Sequence, residues 1–189
     1  MSETDSAPPP ARRRRRRRAV TAVLALTLAA ASATIARLFV WPDLPPLPAR
    51  ADAVVELGGP GERRPVALDL VRQGRAPLAA ISVSVDEVDT TWCYKGRLDN
   101  VPVTCFHPDP YTTRGEARAI ADMARERGWR SVILVTTPDQ ASRAILRLSR
   151  CYDGQIFVAT APLPWRQWPA QIAYQSGATV KAYTAETSC

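Results

Sequence analysis

The stretch RSVILVTTPDQASRAILRL, residues 130–148, decides the fold of this chain. Its first part is a mostly apolar run that predicts a buried strand ending near Thr136. Its second part repeats apolar residues at the spacing of one helix face: Ala141, Ala144, Ile145 and Leu148. A strand that is apolar throughout is typical of a parallel sheet covered on both faces, because a half-solvated strand would alternate polar and apolar residues.

The same order of strand and helix occurs along the rest of the chain. Four further runs predict strands: ADAVVELGG (51–59), APLAAISVS (76–84), NVPVTCF (100–106) and QIFVAT (155–160). Apolar residues at the spacing of one helix face begin at Ala67, after the run at 51–59, and at Ala117, after the run at 100–106. A last helix is expected near Pro169. This alternation predicts a doubly wound α/β domain over residues 52–189, with a mainly parallel five-stranded sheet.

The N-terminal part of the chain carries a membrane signal. Residues 1–18 are rich in proline and arginine, which predicts a disordered tail. Residues 19–36 carry no charge, and with Arg37, which can extend to the interface, and the LFVW that follows it they are long enough to cross a hydrocarbon core of about 30 Å. We expect a transmembrane signal-anchor helix over residues 19–41, with its N-terminus held in the cytoplasm by the arginines. Residues 42–51 predict a proline-rich linker to an extracytoplasmic domain.

A cleaved signal peptide is the alternative interpretation of this segment. The sequence ASA at residues 31–33 resembles a cleavage site. The apolar run continues past that site, however, and Trp41 stands where an aromatic residue at the membrane interface is expected. These features favour a single-pass protein of the plasma membrane.

The net charge of +7 is concentrated at one end of the chain. Arg12–Arg18 supply seven positive charges, whereas from Pro42 onward 17 Lys and Arg residues stand against 16 Asp and Glu residues. A basic block beside a membrane helix is typical of its cytoplasmic flank. The domain has no basic footprint for nucleic acid, so we expect the lipid bilayer as a partner and no nucleic acid.

Four cysteines in an extracytoplasmic domain predict disulfides. We expect a bridge among Cys93, Cys105 and Cys151, with Cys189 free or frayed at the end of the chain, and the sequence does not choose the partners. Such a bridge would staple an insertion at residues 84–100. None of the cysteine spacings matches a zinc ligand set, so no metal site is predicted.

Three loops stand at the predicted carboxyl ends of strands, where open α/β sheets bind ligands. They are residues 58–64, 107–116 and 136–143. A Gly-Gly turn in the first loop would let backbone N–H groups approach an anion. Thr113 and Glu116 have the spacing of a capping box at a helix start, which can also face an anion.

The helix after residue 137 has two interpretations. Thr136 or Thr137 before Pro138 predicts an N-cap with proline in the first turn. Arg143 lies one turn further, where its guanidinium could reach an anion at the helix start, although a solvated helix face would carry the same arginine. His107, the single histidine, is a candidate general base, and a surface-loop histidine is the plainer interpretation.

A series of short motifs runs through these loops in a fixed order. The motifs are Leu57-Gly58-Gly59, Arg64 ahead of Ala67–Leu70, Thr113–Glu116, Val135-Thr136-Thr137 and Arg143-Ala144. Together they resemble the YdcF-like domain family, which includes the SanA and ElyC envelope proteins, in its membrane-anchored actinobacterial form. The resemblance implies a Rossmann-like domain with a role in the cell envelope and no settled reaction.

Members of that family are associated with lipid-carrier metabolism in wall synthesis, and one is associated with S-adenosylmethionine. This chain departs from the family pattern at three places. Residues 81–89, ISVSVDEVD, stand where many members have Ser-Gly-Gly; Gln140 stands where many have histidine; and Gly115 stands where an acid is frequent. The cofactor is therefore unknown, and the sequence does not decide whether the chain catalyses a reaction.

We expect the domain to bind a small anionic or phosphorylated metabolite, a class that includes polyprenyl-phosphate-linked compounds. The residues expected at the ligand are Gly58, Gly59, Arg64, Thr113, Glu116, Thr136, Thr137, Gln140 and Arg143. The alternative is a non-enzymatic interaction or scaffold module of envelope assembly that uses the insertion at residues 84–100. An S-adenosylmethionine-dependent enzyme would need an extracellular supply of cofactor, which the predicted topology disfavours.

Overall fold

The computed structural model describes residues 11–84 and 91–189. An N-terminal helix, α1, spans Ala11–Ile35 and continues as a π-helical turn over Ala36–Val40. The strands are β1 (Ala53–Glu56), β2 (Ala79–Ser82), β3 (Arg97–Leu98), β4 (Val101–Phe106), β5 (Ser131–Thr136) and β6 (Gln155–Thr160). The other helices are α2 (Arg63–Arg72), α3 (Thr91–Lys95), α4 (Thr113–Arg127), α5 (Pro138–Leu148) and α6 (Trp168–Thr184), with a 3-10 turn at Trp165–Gln167.

The strands form one six-stranded, mostly parallel sheet in the order β3-β4-β2-β1-β5-β6. The five predicted strands are confirmed and run parallel; Val54 of β1 pairs with Ala79, and Val55 pairs with Leu134. The predicted count of five is one too low, because β3 pairs antiparallel with the start of β4 at the sheet edge. A strand of two residues is too short to show a period in the sequence.

Helices cover both faces of this sheet. The side chains of α2 pack on one face together with Val54. The side chains of α4 and α5 pack on the other face together with Val55. These adjacent valines are both fully buried and point to opposite faces, which explains why β1 is apolar from Ala53 to Val55. The mixed α/β fold thus follows from the alternation of buried strands and one-sided helices.

Among the described residues, one helix is long and apolar enough to cross a membrane. It runs from Arg13 to Val40, with a mean hydropathy of 2.0 in its most apolar window, and none of that window is buried against the domain. Such a helix fits a membrane anchor or a signal sequence. The helix includes the arginine run from Ala11 onward, so residues 11–18 of the tail expected to be disordered are helical. Residues 1–10 lie outside the described residues.

The end of this N-terminal helix packs on the domain. The Phe39 side chain is buried, and the Ser142 hydroxyl of α5 donates a hydrogen bond to the Leu38 carbonyl at 3.0 Å. In the proline-rich linker, Leu44 packs against the core on the α5 side of the sheet and Leu47 against the core on the α2 side. The linker therefore lies along the domain.

Two disulfides close the domain. Cys93 is bonded to Cys105, with Cα atoms 5.6 Å apart, and Cys151 is bonded to Cys189, with Cα atoms 5.0 Å apart. The prediction that Cys189 is free or frayed is wrong. α6 packs on α5, and arginines of α5 and of the turn after it donate to the Glu186 carbonyl, which brings the end of the chain to Cys151.

Candidate functional site

The order of the strands reverses at the centre of the sheet. From β1 the chain adds β2 and then β4 on one side, and it returns to place β5 and β6 on the other side. The connections after β1 and β5 therefore diverge, which opens a crevice at the carboxyl ends of these strands. A cleft of about 290 Å³ lies here, walled by the segments that follow β1, β4 and β5.

All three loops predicted to form the crevice contribute to this cleft. Its walls consist of Gly58, Gly59, Pro60, Tyr111, Thr112, Thr113, Glu116, Gln140, Arg143, Gln171, Tyr174 and Gln175. The structure thus brings together six of the nine residues predicted at the ligand: Gly58, Gly59, Thr113, Glu116, Gln140 and Arg143. The other three, Arg64, Thr136 and Thr137, lie outside these walls.

The Gly-Gly turn after β1 requires glycine at its second position and leaves little room for a side chain at its first. Gly59 has a φ of +121°, a conformation that residues with a side chain rarely adopt. A Cβ atom on Gly58 would lie 2.6 Å from the Tyr111 hydroxyl oxygen. The Gly58 N–H donates to Glu116 Oε1 at 2.6 Å. This turn therefore serves first to dock the backbone after β1 against α4, and one of its two N–H groups is already engaged.

A buried arginine, Arg63, lies beneath this turn at the start of α2 and is 2% exposed. Its guanidinium donates to four oxygen atoms, those of Leu57, Gly58, Thr137 and Gln140. Burial lowers the pKa of Arg63, and the nearby Glu116 carboxylate acts in the opposite direction. Because its donors reach both the loop after β1 and the start of α5, Arg63 fixes the two walls of the cleft relative to each other.

Of two adjacent arginines, the structure places Arg63 beneath the cleft rather than the predicted Arg64. Arg64 Nε lies 3.3 Å from the Glu56 carboxylate, and its guanidinium stacks over the Trp92 ring. A signal for this difference exists in the sequence. Arg63 precedes Ala67 by four residues, which is about one helical turn. It therefore lies on the same face of α2 as the apolar stripe.

Gln140 joins the starts of three helices. Its Oε1 accepts from Arg63 and its Nε2 donates to the Thr113 hydroxyl, each at 3.0 Å. Thr137 is the N-cap residue of α5 by its backbone, but its hydroxyl makes no capping hydrogen bond and accepts from Arg63 instead. Thr136 is fully buried at the end of β5. The two threonines thus support the wall behind the cleft.

The predicted capping box at the start of α4 is wrong. The N-cap is Thr112, whose hydroxyl accepts from the Gly115 N–H at 3.2 Å. Glu116 reaches across to Gly58 and makes no local cap. The helix start is crowded as well, because a Cβ atom at Gly115 would collide with the Pro110 carbonyl oxygen. This close approach gives a physical reason for glycine at a position where the resemblance implied an acid.

Glu116 places a buried carboxyl in the wall of the cleft. Burial raises the pKa of Glu116 above its ordinary value. The Gly58 N–H and the guanidinium groups of Arg63 and Arg143 act in the opposite direction without cancelling the effect of burial. The site therefore favours the protonated form of this side chain more than water does.

Arg143 is a buried cation in the wall opposite the Gly-Gly turn. Its Nε donates to Gln175 Oε1 at 2.8 Å, and Gln175 Nε2 donates to Asp139 Oδ2 at 3.2 Å. Burial lowers the pKa of Arg143, and an arginine nevertheless stays protonated in proteins. The hydrogen bond to Gln175 uses one of five guanidinium N–H groups, so this residue is suited to bind an anion.

The fourth wall of the cleft comes from α6, which the sequence analysis did not assign to the site. Gln171, Tyr174 and Gln175 belong to this helix. Two glutamines spaced by four residues in an otherwise mostly apolar helix lie on one face, and that spacing is the signal that could have found them. Tyr111 from the loop after β4 adds a second aromatic ring to the cleft.

His107 does not belong to the walls of the cleft. Its ring stacks on Tyr111 with centroids 6.3 Å apart, and its Nδ1 lies 3.0 Å from the Val83 carbonyl oxygen. These contacts attach the loop after β4 to the end of β2. They agree with the plainer interpretation of His107 as a loop residue.

Within residues 11–84 and 91–189, no group of three or more His, Cys, Asp and Glu side chains is arranged to hold a metal ion. Comparison of the chain with protein-family models, with curated proteins and with solved structures finds no match. The interpretation of the cleft therefore depends on its own geometry and charge.

Proposed function

We propose that this chain is a single-pass plasma-membrane protein whose Rossmann-like, YdcF-like domain binds a small anionic or phosphorylated metabolite of the cell envelope. The binding site is the cleft at the carboxyl ends of β1 and β5. The class of ligand includes compounds linked to a polyprenyl phosphate. The proposal concerns binding, and it assigns no bond-breaking step to the cleft.

The observation that carries this proposal is the buried guanidinium of Arg143 in the wall of the cleft. A buried cation is costly unless it is paired, and its hydrogen-bond partner among the described residues is the neutral amide of Gln175. The Glu116 and Asp139 carboxyls act on Arg143 without a direct hydrogen bond, and a bound phosphate or carboxylate would pair with the guanidinium directly. Charge-assisted hydrogen bonds of this kind contribute about 1.5–3 kcal/mol each.

Glu116 is compatible with an anion in the same cleft because burial favours its neutral form. A protonated carboxyl also offers an O–H donor to a ligand oxygen. The start of α5 adds the partial positive charge of a helix N-terminus beside Gln140. These three features together favour an anion over a cation.

The topology of the chain supports a site outside the cytoplasm. The arginine run precedes the apolar part of the N-terminal helix, and positive charge of this kind marks the cytoplasmic side of a membrane helix. Two disulfides in the domain agree with an oxidising compartment. We therefore place the N-terminus in the cytoplasm and the cleft outside it.

A thermal-shift screen tests the proposal on the full chain in detergent. The compounds are nucleotides, sugar phosphates, short polyprenyl phosphates and S-adenosylmethionine, because a ligand that binds only the native state raises the Tm. We expect a shift with one phosphorylated class, lost in Arg143→Ala and kept in Arg64→Ala. No shift with any compound, or a shift that Arg143→Ala retains, would contradict the proposal.

A second candidate function is an interaction module in envelope assembly. The Cys93–Cys105 disulfide ties α3 to β4, and Tyr94 on α3 is 76% exposed. Residues 85–90 of the predicted contact surface lie outside the described residues. Co-purification of a stable partner that is lost in Tyr94→Ala, with the Tm unchanged, would favour this function over metabolite binding.

A further inference from the structure

The outer face of α6 exposes apolar side chains to solvent. Trp165, in the turn that leads into the helix, is 75% exposed, and Val180 is 62% exposed. Tyr174 and Tyr183 lie on the flanks of this face and are exposed as well. An exposed apolar patch rimmed by polar groups is typical of a surface that contacts a partner or a membrane.

The charged side chains of this face are basic, and one of them, Lys181, pairs with Glu186 just after the helix at 2.8 Å. Residues 161–185 contain Arg166 and Lys181 and no Asp or Glu. The Arg166 guanidinium lies over the Trp165 ring, with 5.4 Å from its central carbon to the ring centroid. Long basic side chains of this kind can extend to anionic lipid head groups while their apolar stems cover the neighbouring surface.

The position of α6 in the fold connects this face to the membrane helix. Both α6 and the π-helical turn that ends the N-terminal helix pack against α5. The hydrogen bond from Ser142 to Leu38 fixes the turn on α5, and the buried Phe39 holds it there. α6 and the end of the candidate membrane helix therefore pack on the same helix of the domain.

We propose that the outer face of α6, beginning at Trp165, lies on the surface of the bilayer that the N-terminal helix enters. Indole and phenol rings favour the interface between hydrocarbon and water, because one end of each ring is apolar and the other is polar. The guanidinium of Arg166 beside the Trp165 ring fits an anionic lipid surface. This contact is separate from metabolite binding and stands whether or not the cleft binds an anion.

The proposed contact has a consequence for the cleft. The inner face of α6 carries Gln171 and Gln175 in the wall of the cleft. A helix held by lipid on its outer face would keep this wall at the bilayer surface. The domain would then adopt one fixed orientation, instead of turning freely at the end of its anchor.

The test uses the full chain in nanodiscs of phosphatidylcholine and phosphatidylglycerol, each disc holding one copy. Lipids brominated near the head group quench tryptophans at the interface, and the difference between the parent and Trp165→Phe isolates residue 165. We expect Trp165→Phe to remove a large part of the quenched emission. The matched variant Trp92→Phe, at the opposite edge of the sheet, should leave the quenched emission unchanged.

A second pair of variants tests the face itself. Val180→Glu places an acid on the outer face and should reduce quenching of Trp165 at least twofold, whereas Tyr94→Glu, at a position of α3 that is 76% exposed, should not change it. Equal quenching in the parent and in Trp165→Phe would overturn the proposal. Discs that hold two copies serve as a further control. A change in Trp165 emission that occurs only in those discs, without quenching by brominated lipid, would show that the face contacts a second copy and would also overturn the proposal.

Discussion

The Glu116 carboxylate accepts a hydrogen bond from the Gly58 N–H at 2.6 Å, although the two residues lie 58 positions apart in the chain. This bond joins the loop after the central strand β1 to the start of α4. It uses a backbone donor that the Gly-Gly turn would otherwise present to a ligand. The cleft is thus held open by a buried carboxyl that also faces the proposed anion site.

Removal of this carboxyl should destabilise the domain. Glu116→Ala leaves the Gly58 N–H without its partner, and an unsatisfied buried donor costs about 1–3 kcal/mol. Glu116→Gln keeps an acceptor oxygen of the same reach and should be within about 1 kcal/mol of the parent. Urea unfolding followed by circular dichroism measures both values. Equal losses in the two variants would show that the hydrogen bond is not what stabilises the turn.

The same residue predicts how the unfolding free energy depends on pH. The pKa of Glu116 is raised in the folded state, so the folded chain binds a proton more tightly than the unfolded chain. Its contribution is fully present below the unfolded-state pKa of 4.5 and is lost as the pH rises through the folded-state value. The unfolding free energy of Glu116→Gln relative to that of the parent should therefore increase as the pH rises above the unfolded-state pKa. A difference in unfolding free energy between the two proteins that does not change with pH would contradict the raised pKa of Glu116.

Arg63 should matter more for stability than its neighbour Arg64. Arg63→Met removes the donor of four oxygen atoms, three of them in buried hydrogen bonds. Each buried acceptor left unsatisfied costs about 1–3 kcal/mol. Arg64→Met removes an ion pair in which Glu56 is buried but Arg64 is partly exposed, so we expect a smaller loss than at Arg63. Thermal unfolding of the two variants checks the order, and a larger effect at Arg64 would contradict the structure.

The two disulfides should differ in their contribution to stability. The Cys151–Cys189 bond joins residues 38 positions apart, and the Cys93–Cys105 bond joins residues 12 positions apart. Loop-closure entropy then predicts losses of about 4 and about 3 kcal/mol when each pair is replaced by serine. Peptide mapping without reduction checks the pairing, and denaturant unfolding checks the order. A free thiol at Cys189 in the native protein would contradict both.

Much of the fold could be predicted from the sequence because buried strands and helices with one buried face have recognisable patterns of apolar residues. β1, β2 and β5 are apolar at nearly every position, and α4 and α5 are apolar on one face, so the layers follow from local patterns. β3 could not be predicted, since two residues carry no period. The pairing of Cys151 with Cys189 depends on how α6 packs on α5, which is a tertiary contact without a local signal.

The sequence predicted the parts of the candidate site that lie in loops after strands. It missed the parts that are set by packing between distant segments. The loops after β1, β4 and β5 meet as expected, because the carboxyl ends of parallel strands share one edge of the sheet. The roles of Arg63 and Glu116 are set by long-range hydrogen bonds, which local capping rules do not describe. The wall formed by α6 was missed because its polar residues are uncharged glutamines within an apolar helix.

The central claim is that the buried guanidinium of Arg143 binds an anion in the cleft. Isothermal titration calorimetry tests it most directly, with the full chain in detergent and the phosphorylated compound that raises the Tm most. We predict that Arg143→Gln weakens the affinity at least tenfold, since about 1.4 kcal/mol corresponds to a factor of ten. Arg64→Gln should leave the affinity unchanged. An affinity that Arg143→Gln leaves equal to that of the parent would contradict the account.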